Sequence, residues 1–347
     1  MVLLRRIAAA CLLSVSLLSF CACAAYFNGG LNPFSSYSLT GDTYPVLDPS
    51  VIRQGSTYYA FTTDVAPAAR SSSLPIFCSH DKVNWSACGN IFPAGPPAWV
   101  GRAVPGLSGL WAPDVSFFQG EFHVYYTGST LESQQSVIGL VTNTSLDPRN
   151  PAYKWVDRGP VIESAVGDDF NALDPNIFLD TDGTVWLTYG SFWSGIKQRQ
   201  IDPASGLLAS WNQTRYDLAA RPGVPNDPIE GASLVHHGSY YYLFVSLDYC
   251  CNTDMAMNDY KQAVGRATSP HGPFYDEDGT AMMNGGATVL LQGDGTWNAP
   301  GGGTAYLDAG NGDSFLIFHA HSSAHNGRPY AWIKNLQWVN DWPVIGQ

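Results

Sequence analysis

Charge is what this chain has least of. Only 13% of its 347 residues are Asp, Glu, Lys or Arg, with 17 basic against 29 acidic and a formal net charge of −12. A disordered chain or a coiled coil would need far more solvated charge than that. No basic run breaks the acidic balance, so phosphate backbones and anionic headgroups are repelled, and neither nucleic acid nor a membrane is expected as a partner. An apolar run of about 20 residues, the length a membrane span needs, is also missing. The nearest run, Ile7 to Cys23, is broken by serines, preceded by Arg5 and Arg6, and closed by Ala22-Cys23-Ala24. It reads as a signal peptide over residues 1–24, which implies a secreted, extracellular protein whose remaining residues are 25–347.

Cysteine is sparse as well. Of the seven, Cys11, Cys21 and Cys23 leave with the signal peptide. Cys78, Cys88, Cys250 and Cys251 remain, an even set that suggests two disulfides in an oxidising compartment. Cys78 and Cys88 flank a short segment around Trp85 and are expected to pair. Cys250 and Cys251 are then either bonded to each other, which would stiffen their loop, or buried near a cleft. Zinc is disfavoured because two Cys/His pairs two to four residues apart are not present. Three Asn-x-Ser/Thr triplets, at Asn84, Asn143 and Asn212, are compatible with glycosylation on exposed turns.

What the chain does have is turn formers and aromatics: 35 Gly, 23 Pro, 11 Trp, 18 Tyr and 16 Phe. That composition favours many short strands over long helices. A phrase recurs along it at intervals of roughly sixty residues: an acidic residue, an alternating apolar stretch, a Gly-containing turn and an aromatic strand. Copies begin at Asp48, Asp114, Asp174 and Glu230, and a fifth, without the acid, near Gly302. Each is followed by a second pair of strands marked by Trp85, Trp155, Trp211, Phe274 or Trp338. The pattern predicts an all-β, five-bladed β-propeller with four-stranded blades, forming one domain. A β-sandwich would also supply short strands, but not five similar units.

In a propeller the first strand of each blade lines the central channel, so Asp48, Asp114, Asp174 and Glu230 are expected to converge there. An isolated Asp-Pro is more often turn chemistry. Here Asp48-Pro49 and Asp174-Pro175 fall at equivalent positions of the repeat, which favours clustered carboxylates able to shift one another's pKa for acid/base work.

The motifs that follow resemble glycoside hydrolase family 43, and within it the arabinan-degrading members. They are Leu47-Asp48-Pro49-Ser50, Trp111-Ala112-Pro113-Asp114-Val115, Ala172-Leu173-Asp174-Pro175, the run Tyr189 to Ile196, Ile229-Glu230-Gly231, the run Tyr240 to Ser246 leading into Asp248-Tyr249-Cys250-Cys251, Val264-Gly265-Arg266 and Gly272-Pro273-Phe274. Single motifs are weak evidence, but the ordered set covers essentially the whole mature chain. The resemblance implies Asp48 as general base, Glu230 as general acid, and Asp174 as the residue that tunes the acid and orients the sugar. An inverting hydrolysis needs this division of labour. It also implies that His319 sits by an axial metal ion, often calcium held through waters, while the chemistry itself needs no cofactor.

Three departures stand out: Leu47 replaces the usual His before the first Asp-Pro, Ala232 replaces Pro after Glu230-Gly231, and the fifth-blade motif reads Phe318-His319-Ala320-His321. Trp111, Phe192 and Trp193 are candidates for an aromatic sugar platform, with Asp114 and Ser191 as further substrate contacts. Tyr58, Tyr59, Tyr125, Tyr126, Tyr241 and Tyr242 are assigned to packing between blades. The resemblance thus implies a hydrolase of α-1,5-linked arabinan or arabino-oligosaccharides, endo-acting in preference, and a monomer is expected. The alternatives are an exo-acting α-L-arabinofuranosidase or β-xylosidase on the same fold, and a non-catalytic carbohydrate-binding propeller, which would be expected to lose one of the three carboxylates.

Overall fold

A computed structural model describes residues 34, 37–65, 73–252 and 255–346, so the expected signal peptide lies outside the described residues. The described chain is almost entirely β, with one α-helix, α1 (Ala98–Ala103), and three short 3-10 turns. Its strands form five sheets. The first blade holds β1 (Thr40–Gly41), β2 (Ser50–Gln54), β3 (Thr57–Phe61), β4 (Ser73–Ser79) and β5 (Asn84–Phe92). The second holds β6 (Gly109–Phe118), β7 (Glu121–Ser129), β8 (Ser136–Asn143) and β9 (Val156–Ser164). The third is β10 (Asn176–Leu179), β11 (Val185–Tyr189), β12 (Ile196–Ile201) and β13 (Tyr216–Ala219). The fourth is β14 (Ile229–His237), β15 (Tyr240–Leu247), β16 (Lys261–Ala267) and β17 (Thr288–Leu291). The fifth is β18 (Trp297–Asp308), β19 (Asp313–Ser322), β20 (Arg328–Val339) and β21 (Trp342–Ile345).

Within each blade consecutive strands pair antiparallel in chain order, and only β1 joins parallel, beside β5 with Thr40 opposite Asn84. The first strands β2, β6, β10, β14 and β18 lie against one another around the axis, and β18 returns to β2 to close the ring. Closure is reinforced by the segment before β2: Val46 N–H donates to Pro329 O at 3.1 Å and Ala331 N–H to Thr43 O at 2.9 Å. The β6–β7 hairpin shows how the turns arise. Gln119 and Gly120 form a two-residue loop with φ of 52° and 79°, the doubly left-handed geometry that matches the right-handed twist of its strands.

The aromatic-rich second strands are explained by what each face meets. Side chains alternate across a strand, and both faces of a blade are covered by neighbours. Thus Tyr58 and Ala60 pack with Phe315 and Ile317 of the fifth blade, while Tyr59 and Phe61 pack with Val124 and Tyr126 of the second. Tyr125 turns the other way, onto Ile177, Leu187 and Tyr189 of the third blade. Leu243 and Val245 meet Phe178 and Trp186, whereas Tyr242 and Phe244 meet Leu316 and Phe318. There is one apolar cluster per blade interface, and each fully buried Phe or Leu contributes about 1.5–3 kcal/mol relative to exposure.

Three sequence expectations change here. Trp211 marks no strand: it lies outside β13 and is 64% exposed. Phe274 is buried, but in the connection between β16 and β17 rather than in a strand. Among the triplets, Asn143 is buried at the end of β8, where its Oδ1 accepts the N–H groups of Ser145 and Lys154, so it is no exposed turn. Asn84 is exposed. Both cysteine pairings form, Cys78 with Cys88 and Cys250 with Cys251.

Candidate active site

A ring of blade-to-blade hydrogen bonds defines which positions of the five repeats are equivalent. Ser50 Oγ accepts the Val115 N–H, Asp114 Oδ2 that of Ile177, Asn176 Oδ1 that of Leu234, and Ser233 Oγ that of Ala305. Counting back two residues from each acceptor gives Asp48, Ala112, Asp174 and Gly231, all with positive φ, and Gly302 in the fifth blade completes the set. Asp48 and Asp174 are therefore equivalent, as the repeat suggested. Asp114 and Glu230 are not: Asp114 corresponds to Ser50 and Asn176, and Glu230 precedes the equivalent Gly231. In the second blade Ala112-Pro113, not Asp114, is the counterpart of Asp48-Pro49 and Asp174-Pro175, and in the fourth blade Gly231 takes that place, so the acids of these two repeats stand two residues after and one residue before it.

That difference sets what each carboxylate can do. Asp114 is buried and accepts from Ser50 Oγ at 3.0 Å, Asn176 Nδ2 at 3.2 Å and Ile177 N at 2.7 Å. Burial pushes its pKa up to about 6 against these donors. It braces the first three blades, and its oxygens are already committed within the protein.

Asp48 and Asp174 line the axial pocket together with Pro175, Gly231 and Gly302, and Glu230, just outside that lining, lies within electrostatic reach of both carboxylates. Asp48 Oδ2 accepts from Thr63 Oγ1 at 2.6 Å, and the same Thr63 oxygen accepts the Ala112 N–H. Asp174 is held by its own N–H on Thr127 Oγ1 at 3.1 Å and by the Gly231 N–H on its Oδ2 at 2.9 Å. Glu230 accepts from Ser191 Oγ at 2.5 Å and Tyr260 OH at 2.7 Å.

Burial raises all three acids. Asp48 is pushed up to about 7, desolvation outweighing the Thr63 hydrogen bond, with repulsion from Glu230 adding to it. Asp174 is driven well above its ordinary range by burial and by the charges of Glu230 and Asp48. Glu230 is raised by burial against the two hydroxyls that favour its ionised form. Three buried carboxylates so close together resist full ionisation, which favours a retained proton near neutrality.

The sugar-platform candidates divide. Phe192 and Trp193 lie in the loop after β11, partly exposed, in a run of three left-handed non-glycine residues that ends at Ser194. Buried Lys197 ties down this loop by donating to Ser194 O at 2.6 Å while pairing with Asp217. Phe192 also meets Tyr249, ring centres 5.6 Å apart. Trp111 is partly exposed in β6, next to the pocket-lining Ala112 and Pro113. Ser191 is buried and bonded to Glu230, so it orients the acid. The sequence pattern did not single out Thr63, Thr127 or Tyr260, and it marked Gly302 only as the start of the fifth repeat. Thr, Tyr and Gly in strands and loops carry no signal of their own, and only proximity to the carboxylates singles them out.

His319 is completely buried on β19. Its Nδ1 accepts the Asp48 N–H at 3.2 Å and burial drives its pKa well down, so the ring is neutral with its proton on Nε2, which faces Cys250 Sγ at 3.4 Å. The 3.5 Å approach of Nδ1 to Asp48 Oδ1 is therefore no ion pair. The protein atoms next to the ring are nitrogen and sulfur, so the about six to eight oxygen ligands that calcium takes would have to come from water. The atoms grouped with the His319 ring among the described residues are the sulfurs of Cys250 and Cys251 and the imidazole of His321.

Clustered carboxylates at a propeller axis, with partly exposed aromatic side chains near by, are the groups that a glycoside hydrolase uses. The sequence profile of Glycosyl hydrolases family 43 matches residues 43–343, and the chain belongs to that family. It is 37% identical over 297 residues to the extracellular endo-alpha-(1->5)-L-arabinanase 1 of Bacillus subtilis, covering 85% of this chain and 86% of the relative. It is 34% identical over 312 residues to the extracellular exo-alpha-(1->5)-L-arabinofuranosidase ArbA of Cellvibrio japonicus, covering 87% and 86%. Among solved structures, the Cellvibrio cellulosa alpha-L-arabinanase complexed with arabinohexaose superposes with a TM-score of 0.79 at 34% identity, covering 87% of this chain and 96% of that one.

Proposed function

We propose that this protein is a secreted, inverting hydrolase of α-1,5-linked L-arabinan that cuts within the polysaccharide. The observation that carries the reading is the placement of Asp48 and Glu230 on the first and fourth blades, which are not neighbours in the ring, with Asp174 between them on the third. In this reading ionised Asp48 takes a proton from a water on one side of the sugar ring. Protonated Glu230 gives its proton to the departing glycosidic oxygen on the other. Asp174 stays close enough to keep the proton on Glu230 and to hold a sugar hydroxyl.

Inversion follows if the base and acid stand about 6.5–9.5 Å apart, leaving room for that water; a retaining enzyme would need about 5–5.5 Å. These proton transfers use only the chain's own groups. The names of the similar proteins support arabinan as substrate, and the Arg5-Arg6 leader with two relatives named extracellular supports secretion. Chromatography of products from linear arabinan and xylan tests the substrate. Oligomers from arabinan are expected, arabinose alone would favour exo action, and cleavage of xylan alone would overturn the reading. Proton NMR of the first product, recorded before mutarotation, should show the inverted anomer.

A further inference from the structure

We propose that reduction of the Cys250–Cys251 disulfide turns the region behind the catalytic pocket into a zinc site, with Cys250, Cys251, His319 and His321 as its four ligands. Two come from the loop after β15, and two from alternate positions of β19, which place their rings on one face of the strand. Candidate ligand atoms of all four lie within 4.8 Å of one another. Two thiolates and two imidazoles form the soft, tetrahedral set that suits zinc and is wrong for calcium.

His321 supplies the independent sign of a ligand. Its Nδ1 lies 2.9 Å from Gly327 O, and since a carbonyl can only accept, that nitrogen carries the ring proton. Nε2 is left as a bare lone pair on a residue only 4% exposed, with no hydrogen-bond partner. A buried acceptor without a donor costs about 1–3 kcal/mol, and a metal ion would satisfy it. His319 Nε2, 3.4 Å from Cys250 Sγ, is the second nitrogen.

The switch is chemical. Disulfide sulfur is a poor metal ligand and thiolate a strong one. Cys251 is exposed, so a dithiol can reach the bond. The dithiol attacks one sulfur, the S–S bond breaks, and the reagent leaves as its own cyclic disulfide. Two electrons and two protons then reside on the protein as two thiols. Zinc binding releases both thiol protons. As the metal takes Nε2 of His319, the ring proton moves to Nδ1, which gives up the Asp48 N–H and can turn to Asp48 Oδ1, 3.5 Å away. The inference does not depend on which polysaccharide is cleaved.

The test uses the whole protein, treated with a dithiol, desalted without oxygen, and titrated with Co2+ alone. One Co2+ per chain is expected, with a thiolate-to-cobalt charge-transfer band and the intense visible bands of tetrahedral cobalt. The oxidised protein should show neither. Cys251→Ser and His321→Gln should each weaken binding at least tenfold. Equal binding by oxidised and reduced protein, or undiminished binding by a folded His321→Gln, would overturn the proposal. X-ray absorption of the reduced, zinc-loaded wild type covers the case in which the variants fail to fold. Sulfur ligands at about 2.3 Å with nitrogen at about 2.0 Å support the site, and a shell of oxygen and nitrogen alone refutes it.

Discussion

Asp174 accepts the main-chain N–H of Gly231 at 2.9 Å, a hydrogen bond that crosses from the third blade to the fourth and lands one residue after Glu230. The packing of two blades thereby fixes one carboxylate beside another. Burial raises both carboxylates, and the charge of Glu230 makes Asp174 harder still to ionise. A fold that needed only stability would gain nothing from this arrangement; a proton donor at neutral pH requires it.

Replacing Glu230 by Gln keeps the shape and the acceptor for Tyr260 but removes the transferable proton. The kcat on arabinan should fall by about 10²–10⁴-fold, the usual contribution of a positioned acid, with KM little changed. Aryl arabinofuranosides, whose leaving groups need little protonation, should lose much less. Steady-state kinetics on both substrates checks this, and near-native activity on the polysaccharide would remove Glu230 from the acid role.

The Thr63 hydroxyl donates to Asp48 and so favours its ionised form. In Thr63→Val that support is gone, the Asp48 pKa rises, and the base is ionised only at higher pH. The acidic limb of the kcat/KM profile should move up by about 1–2 units, the equivalent of one hydrogen bond to a charged group. Activity at pH 6 should drop more than activity at pH 8, whereas a uniform loss would mean that Thr63 serves structure alone.

Asp48 should carry a stability cost that appears with pH. Its folded pKa, about 7, lies above the ordinary 3.8, so the folded form holds the proton more tightly than the unfolded one. The associated stability is full below the unfolded value and is lost as pH rises through 7. Asp48→Asn, inactive by this reading, should therefore be the more stable protein at pH 8 by on the order of 2–4 kcal/mol, a gain that vanishes near pH 4. Denaturant unfolding of both proteins at the two pH values measures it.

Gly302 gives the fifth blade, whose repeat starts without an acid, a part in the pocket. A Cβ added there would lie 2.2 Å from Asp48 Oδ1, and the backbone sits at φ +56°, which L side chains rarely adopt. Gly302→Ala should push the Asp48 carboxylate out of place and cut kcat at least tenfold. A crystal structure of the variant should show the displacement, while full activity would mean that the pocket wall gives way at no cost.

The architecture was legible in the sequence because it rests on short-range rules. Alternating apolar residues, Gly-containing turns and a repeat of fixed length dictate paired strands in like units, and a face that is apolar on both sides needs a blade on both sides. Asp48 and Asp174 were readable for the same reason, since each precedes a proline at the same point of its repeat. The rest of the site depended on register. Asp114 stands two residues past its blade's equivalent position and Glu230 one residue before it, offsets fixed by the blade-to-blade hydrogen bonds and not by the alternating pattern. Thr63, Tyr260, Gly302 and the grouping of Cys250, Cys251, His319 and His321 arise from the curvature that brings distant blades to one axis. Residues tens to hundreds of positions apart meet there, and no local preference of the chain encodes that meeting.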